Sequence, residues 1–370
     1  MPETVDAPAV AVVERLLHLA VERGASDLHF DPSEHGVRVR LRRDGVLQTI
    51  ETLPSELGQH LVGRCKALAE LLVYRRDLPQ EGRITAERSG QGCEFRVATY
   101  PTLSGERVAL RLDARQGSPR VLRSLGLEPE VTDALQHAIS QPEGVVLLTG
   151  PSGSGKTTTL YSCLHHLVHN GPERTIVTVE DPVERRIDGI VQTEVDPAAG
   201  LGFARALRSL LRQDPDVLLV GEIRDRETAA MALEAGLTGH LVASTLHARS
   251  AAEVFARLLE MGVEPFVMTT TIRGVLAQRL LRKLCAACGN RQGAACEDCQ
   301  GAGYVGRQLV AEWLPMSPGL RQAILARGDG EALTAAADNS GFASLRDSAE
   351  QLLQRGITTQ EEVDRVLGQG

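Results

Sequence analysis

The chain has 370 residues, with 40 Lys+Arg against 48 Asp+Glu, a formal charge of −8, 42% hydrophobic and 24% charged residues; that fits two or three domains and excludes disorder. Only 3% of the residues are aromatic, and with the acidic balance this excludes a general nucleic-acid binder. No run approaches the ~20 apolar residues that span a bilayer, and the opening MPETVDAPAV has no export-signal pattern, which predicts a cytoplasmic protein meeting membranes only through partners.

Apolar residues recur at helical spacing over 10–21 and stop at Gly24, predicting a helix. Val37, Val39 and Leu41 then alternate with Arg38, Arg40 and Arg42, and Asp44-Gly45 leads into a second apolar run at 46–50. This is a hairpin pattern, its outward arginines read as a solvated face. A helix is predicted over 56–73, and strands over 94–99 and 107–112 across a turn at 102–105, completing a small α+β domain over 1–112. The polar stretch 113–122, with Gly117, Ser118 and Pro119, is the predicted linker. Beyond it, apolar strands at 145–149, 175–179, 217–220 and 241–245 alternate with helices, the pattern of a parallel α/β sheet within a domain over 123–370. From 314 to 367 the periodicity is helical. Cys65, Cys93 and Cys163 stand singly among apolar neighbours and are expected to be core thiols.

Gly150-Pro151-Ser152-Gly153-Ser154-Gly155-Lys156-Thr157 is a complete phosphate-binding loop between a strand and a helix, with Thr158 following it. Its glycines let backbone N–H groups curl around phosphates at a helix N-terminus, Lys156 reaches the β and γ phosphates, and the Thr157 hydroxyl ligates Mg²⁺. Lysine occurs at only three positions, 66, 156 and 283, so Lys156 stands out against an arginine background. Acids at later strand ends are Glu180 and Glu222, with Gly221 where an aspartate is usual. Glu222 is taken as the base that polarises the attacking water and Glu180 as the metal-side acid, an assignment that needs geometry. His247, at the C-terminal tip of the 241–245 strand, is the better of two candidates for sensing the γ-phosphate, His240 the weaker. Cys285, Cys288, Cys296 and Cys299 form two C-x₂-C pairs, the pattern of a closed, structural tetrahedral Zn²⁺ site, with a redox dithiol as the rival.

These motifs together resemble the ATPases that power type II secretion and type IV pilus assembly, over nearly the whole chain. The small domain carries Ala25-Ser26-Asp27-Leu28-His29 and Gly36-Val37-Arg38-Val39-Arg40; the larger one carries an Asp box at 178–184, a Walker B segment at 214–225 and a His box at 239–247, with 303–307 after the cysteines. The resemblance implies a PAS-like small domain before a RecA-like ATPase domain that includes a zinc module at 285–312 and a helical part at 313–370. It implies a homohexameric motor at the inner face of the bacterial inner membrane, driving pseudopilus or pilus assembly through a membrane platform protein, with no direct nucleic-acid partner. It also implies that Arg96 and Arg111 of the small domain, and Arg208 and Arg212 of the larger, approach the nucleotide. Full-length members usually carry a further N-terminal docking domain that is not seen here, and the cysteines favour assembly or secretion over retraction. The alternatives are a nucleotide-dependent scaffold without turnover, prompted by Gly221, a retraction or competence-type relative, and a nucleic-acid translocase.

Overall fold

The computed structural model describes residues 6–113, 120–290, 296–338 and 341–369, and it divides between Gly117 and Ser118 into two units with separate cores. Most of the predicted linker, at 114–119, lies outside the described residues.

The first unit runs α1 (Asp6–Glu22), β1 (Asp27–Ser33), β2 (Gly36–Arg43), β3 (Val46–Leu53), α2 (Ser55–Leu68), β4 (Gln80–Ile84), α3 (Ala86–Ser89), β5 (Glu94–Thr102) and β6 (Gly105–Asp113). Its sheet is antiparallel in the order β3-β2-β1-β6-β5-β4. Alternation sorts the side chains: Leu28, Phe30, Val39, Leu41, Val108 and Leu110 join the core with Val13, Leu16 and Leu17 of α1 and Leu61 and Cys65 of α2. The other face holds opposite charges across strands, Arg40 and Arg107 on Asp31 at 2.5 and 2.7 Å, Arg111 and Arg42 on Asp27 at 3.0 and 3.6 Å. Two of the three arginines read as solvated, Arg40 and Arg42, are therefore ion-paired. The helix expected to reach residue 73 ends at Leu68, because Glu70 takes a left-handed φ of 59°. The Leu71 N–H then turns back to the Lys66 carbonyl at 2.9 Å, closing the helix.

The second unit runs α4 (Pro129–Ser140), β7 (Gly144–Thr149), α5 (Lys156–Asn170), β8 (Ile176–Glu180), β9 (Val191–Glu194), α6 (Phe203–Leu210), β10 (Val217–Val220), α7 (Arg226–Leu237), β11 (Leu241–Leu246), α8 (Ala251–Glu260), α9 (Pro265–Thr271), β12 (Ile272–Leu284), β13 (Tyr304–Pro315), α10 (Pro318–Leu325), α11 (Gly330–Asp338), α12 (Leu345–Gln354) and α13 (Gln360–Leu367). The sheet order is β13-β12-β7-β11-β10-β8-β9, parallel throughout except for the antiparallel β12–β13 pair. In β7, Val145 and Leu147 enter the core under α6–α13, while Val146 and Leu148 enter the one under α4 and α5. Both faces are covered, as parallel sheets require. The sequence reading found β7, β8, β10 and β11 but not β9, β12 or β13. Residues 304–312, grouped with the zinc module from sequence, run instead as strand β13. The four cysteines thus sit at the tip of the β12–β13 hairpin.

Cys65 and Cys163 are buried free thiols pushed by burial up to about 12, and Cys93 is half-buried. Among the described residues no helix is long and apolar enough to cross a membrane.

Candidate active site

The loop Gly150–Lys156 leaves the C-terminal end of β7 and closes on the first turn of α5. Gly150, Gly153 and Gly155 have φ of 145°, 77° and 93°, values that glycine reaches without strain. A Cβ at Gly150 would also lie 2.5 Å from the Gln278 carbonyl oxygen. Lys156 Nζ donates to the Gly150 and Pro151 carbonyls at 2.8 and 3.0 Å, anchored across the loop it would leave for phosphate oxygens. Burial lowers its pKa, opposed by the charge of Glu222 and aided by that of Arg279. Thr157 is half-buried and Thr158 exposed on α5.

Glu222 follows the tip of β10. Its backbone is held on both sides, by Gly221 N–H to the Val179 carbonyl at 2.8 Å and by Ile223 N–H to the Thr245 carbonyl at 2.8 Å. Its carboxylate pairs with Arg224, which also reaches Asp181 at 3.6 Å, and faces His247 Nε2 at 3.6 Å. Gly221 has a steric reason to be glycine: a Cβ there would lie 3.3 Å from Glu180 Cα and from the Val179 carbonyl oxygen, so strand tips β10 and β8 approach closely.

Glu180 sits deeper, at 4% exposure. Its carboxylate accepts from Thr178 Oγ1 at 2.5 Å, Gln192 Nε2 at 3.1 Å and the Tyr161 hydroxyl. Burial, and then the hydrogen bond to Glu180, push the Tyr161 pKa up. His240 lies at the opposite end of β11 and bonds the Ala235 carbonyl through Nδ1 at 3.0 Å, a local structural contact.

The sequence-predicted residues thus divide. The loop, Glu222 and His247 come together at the C-terminal strand ends, with Glu180 behind them. Arg208 pairs with Glu227 of α7 at 2.9 Å and Arg212 donates to the Arg208 carbonyl at 2.8 Å, contacts that lie away from the loop. Arg111 is held by Asp27 within the first unit, and Arg96 pairs with Arg83 across β5 and β4 in register. Sequence reasoning missed Arg224, Tyr161, Gln278 and Arg279. For the last two the available signal was a polar pair inside the otherwise apolar stretch 275–281 of β12.

The cysteine tip fits a tetrahedral metal. All four Sγ atoms lie within 4.8 Å of one another, with Cys285–Cys296 at 3.7 Å and Cys288–Cys299 at 3.5 Å. Zn–S bonds of ~2.3 Å in a tetrahedron put sulfurs ~3.8 Å apart, against ~2.05 Å in a disulfide. The Gly303 N–H donates to Cys299 Sγ at 3.3 Å, the outer contact that orients a thiolate ligand. Part of the gap between the two cysteine pairs, 291–295, lies outside the described residues.

A parallel sheet with this loop, a strand-tip glutamate and a facing histidine defines a P-loop ATPase. Residues 3–365 match the family model described as type II/IV secretion system protein, and the chain belongs to that family of secretion ATPases. It is 42% identical over 380 residues to the protein transport protein HofB homolog of Escherichia coli (strain K12), across 98% of this chain and 82% of that one. The type II secretion system protein E of Pseudomonas aeruginosa is 40% identical across 99% and 77%. The type IV pilus assembly ATPase PilB of Acinetobacter baylyi is 39% identical across 98% and 67%. Among solved structures, the Legionella pneumophila ATPase DotB superposes with a TM-score of 0.71 at 25% identity, over 96% of this chain and 95% of that one.

Proposed function

We propose that this ATPase is a homohexameric motor that drives assembly of a type II secretion pseudopilus or a type IV pilus through an inner-membrane platform protein, working at the cytoplasmic face of that membrane. The observation that carries the chemistry is Glu222, fixed at the β10 tip, facing His247 and close enough to Lys156 to favour its charge. The secretion or pilus role is supported by the near-complete match to proteins of both kinds.

In this reading Gly150, Ser152, Gly153, Ser154, Gly155, Lys156, Thr157 and Thr158 hold ATP. Thr157 would hold Mg²⁺, whose charge offsets that of the phosphates. Glu222 orients and deprotonates the attacking water once Arg224 releases its carboxylate, and His247 contacts the γ-phosphate. Glu180, engaged by three donors, must exchange one of them to take its metal-side role. Arg96, Arg111, Arg208 and Arg212 would supply charge to the nucleotide in the assembled ring. Cys285, Cys288, Cys296 and Cys299 would hold Zn²⁺ in a closed structural site.

The test is steady-state Mg-ATP hydrolysis by the parent and its Glu222→Gln variant at concentrations where scattering reports a ring. Loss of a general base lowers turnover by roughly 10²–10⁴-fold with ATP binding kept. A variant that turns over like the parent removes Glu222 from the role, and an inactive parent ring removes the motor reading.

A further inference from the structure

Strand β12 lies beside β7, with Ala277 in register with Thr149, the residue before the phosphate loop. Gln278 follows. It is fully buried, and its Nε2 donates to the Ser154 carbonyl, inside the loop, at 2.8 Å. Because a trans peptide is planar, its C=O and N–H point in opposite directions. Drawing the Ser154 carbonyl back onto β12 therefore turns the Gly155 N–H to the opposite, outward side, where the first turn of α5 opens. Glycine at 155 serves this contact twice: its φ is 93°, and a Cβ would sit 3.3 Å from Gln278 Nε2. The strand is fixed where this happens, since Arg279 donates to the Gln278 carbonyl at 2.9 Å and also reaches the Arg249 carbonyl at 2.5 Å.

Among the described residues, two polar atoms at this contact have no partner. Gln278 Oε1 and Ser154 Oγ are both buried and unsatisfied, and they belong to the two residues the bond already joins. One is an acceptor and the other carries a donor, so the two are chemically matched to each other. Buried polar groups left unmade are costly, which favours a second loop state in which both are satisfied.

We infer that Gln278 is the positioning residue of the phosphate loop: its amide N–H holds the Ser154–Gly155 peptide so that the Gly155 N–H faces the nucleotide's β-phosphate, and its Oε1 takes the Ser154 hydroxyl when the loop is loaded. Gln278 touches no phosphate itself and acts through that peptide. The inference rests on the loop being the ATP site.

The test uses the full chain with Gln278→Met, which keeps length and volume and removes the amide, and Gln278→Glu, which keeps an acceptor and removes the N–H donor. Binding of ADP and AMP is measured by competition against a fluorescent ATP analogue, beside KM and kcat. The expected result is a KM for ATP and a Kd for ADP raised about tenfold, AMP affinity within twofold, kcat changed far less than KM, and parental melting temperature and zinc content. Ser154→Ala should add little on top of Gln278→Met, because the two remove one unit. Parental ADP affinity in either folded variant overturns the inference, and so does an equal loss for ADP and AMP, which marks general damage to the pocket. Failure of the parent to bind Mg-ADP would instead overturn the ATP-site reading.

Discussion

The two sheets treat polar residues differently. In the second unit β7, β8, β10 and β11 are buried at every position, so a carboxylate just past a strand tip, such as Glu222, is an exception against an apolar background. In the first unit one sheet face is a mesh of Arg40, Arg42, Arg107 and Arg111 on Asp27 and Asp31, so any one arginine there is the background. The same residue type carries information in one sheet and little in the other, because only full burial makes charge rare. If that is right, removing a charge buried against the second unit's sheet should cost far more than removing one from the open face of the first.

The largest effect is expected at Glu362 of α13. It is fully buried against β12, accepting from Arg282 Nε and Nη2 at 2.9 and 2.7 Å, from the Arg282 backbone N–H at 3.0 Å, and from Arg365 at 2.7 and 2.6 Å. Burial alone would raise its pKa, but the two guanidiniums outweigh it and hold the carboxyl below its usual range. Glu362→Gln leaves two arginines facing a neutral amide and should cost about 3–5 kcal/mol, roughly 10 °C in melting temperature for a unit of this size. A shift under 2 °C would erase the contrast between the sheets. The same depressed pKa fixes the pH sign: this stabilisation is complete above the unfolded pKa of ~4.3 and is lost as pH falls through the lower folded value.

A smaller effect should follow at the hairpin tip. Cys299→Ser removes one thiolate of four and should take zinc to well under half an equivalent per chain, with local proteolysis at the 285–303 tip and a melting shift of only a few degrees. Full zinc retention would mean that the four thiols do not act together. A loss of global folding comparable to that in Glu362→Gln would mean that the tip, and not the α13 clamp, secures the β12–β13 pair.

How much was legible follows from the same physics. The phosphate loop, the strands that frame it, Glu222 and the cysteine tip were readable because each sets a fixed spacing of rare residues against a uniform context. Strand β12 was not, because Gln278, Arg279 and Arg282 interrupt its apolar alternation, and their partners at Ser154, Arg249 and Glu362 are 124, 30 and 80 residues away in sequence. Strand β1 was not found because Asp27, His29 and Asp31 put charge and polarity at every second position, and the Arg40, Arg107 and Arg111 that balance Asp27 and Asp31 come from β2 and β6. Glu180 was found as a strand-tip acid, but Tyr161 and Gln192, which turn it inward, come from α5 and β9 and leave no local trace.

The smallest effect is expected on the open face, and it is the sharpest check because it must stay small. Asp31 accepts from Arg40 and Arg107 at 2.5 and 2.7 Å with 18% of its side chain exposed, and burial, which would raise its pKa, is outweighed by those two hydrogen bonds. Its folded pKa therefore lies below the unfolded ~3.9, so the pair stabilises above that pH and the contribution fades as pH drops through the folded value. Arg107 is 43% exposed, however, so solvent and salt screen the pair, and Asp31→Asn should cost about 1 kcal/mol or less at pH 7. Chemical denaturation of parent and variant at low and high salt measures it. The difference should shrink with added salt and fade as pH falls below ~3.9 and through the lower folded value, whereas a loss as large as that of Glu362→Gln, unmoved by salt, would show that this face is buried by something the isolated chain does not include.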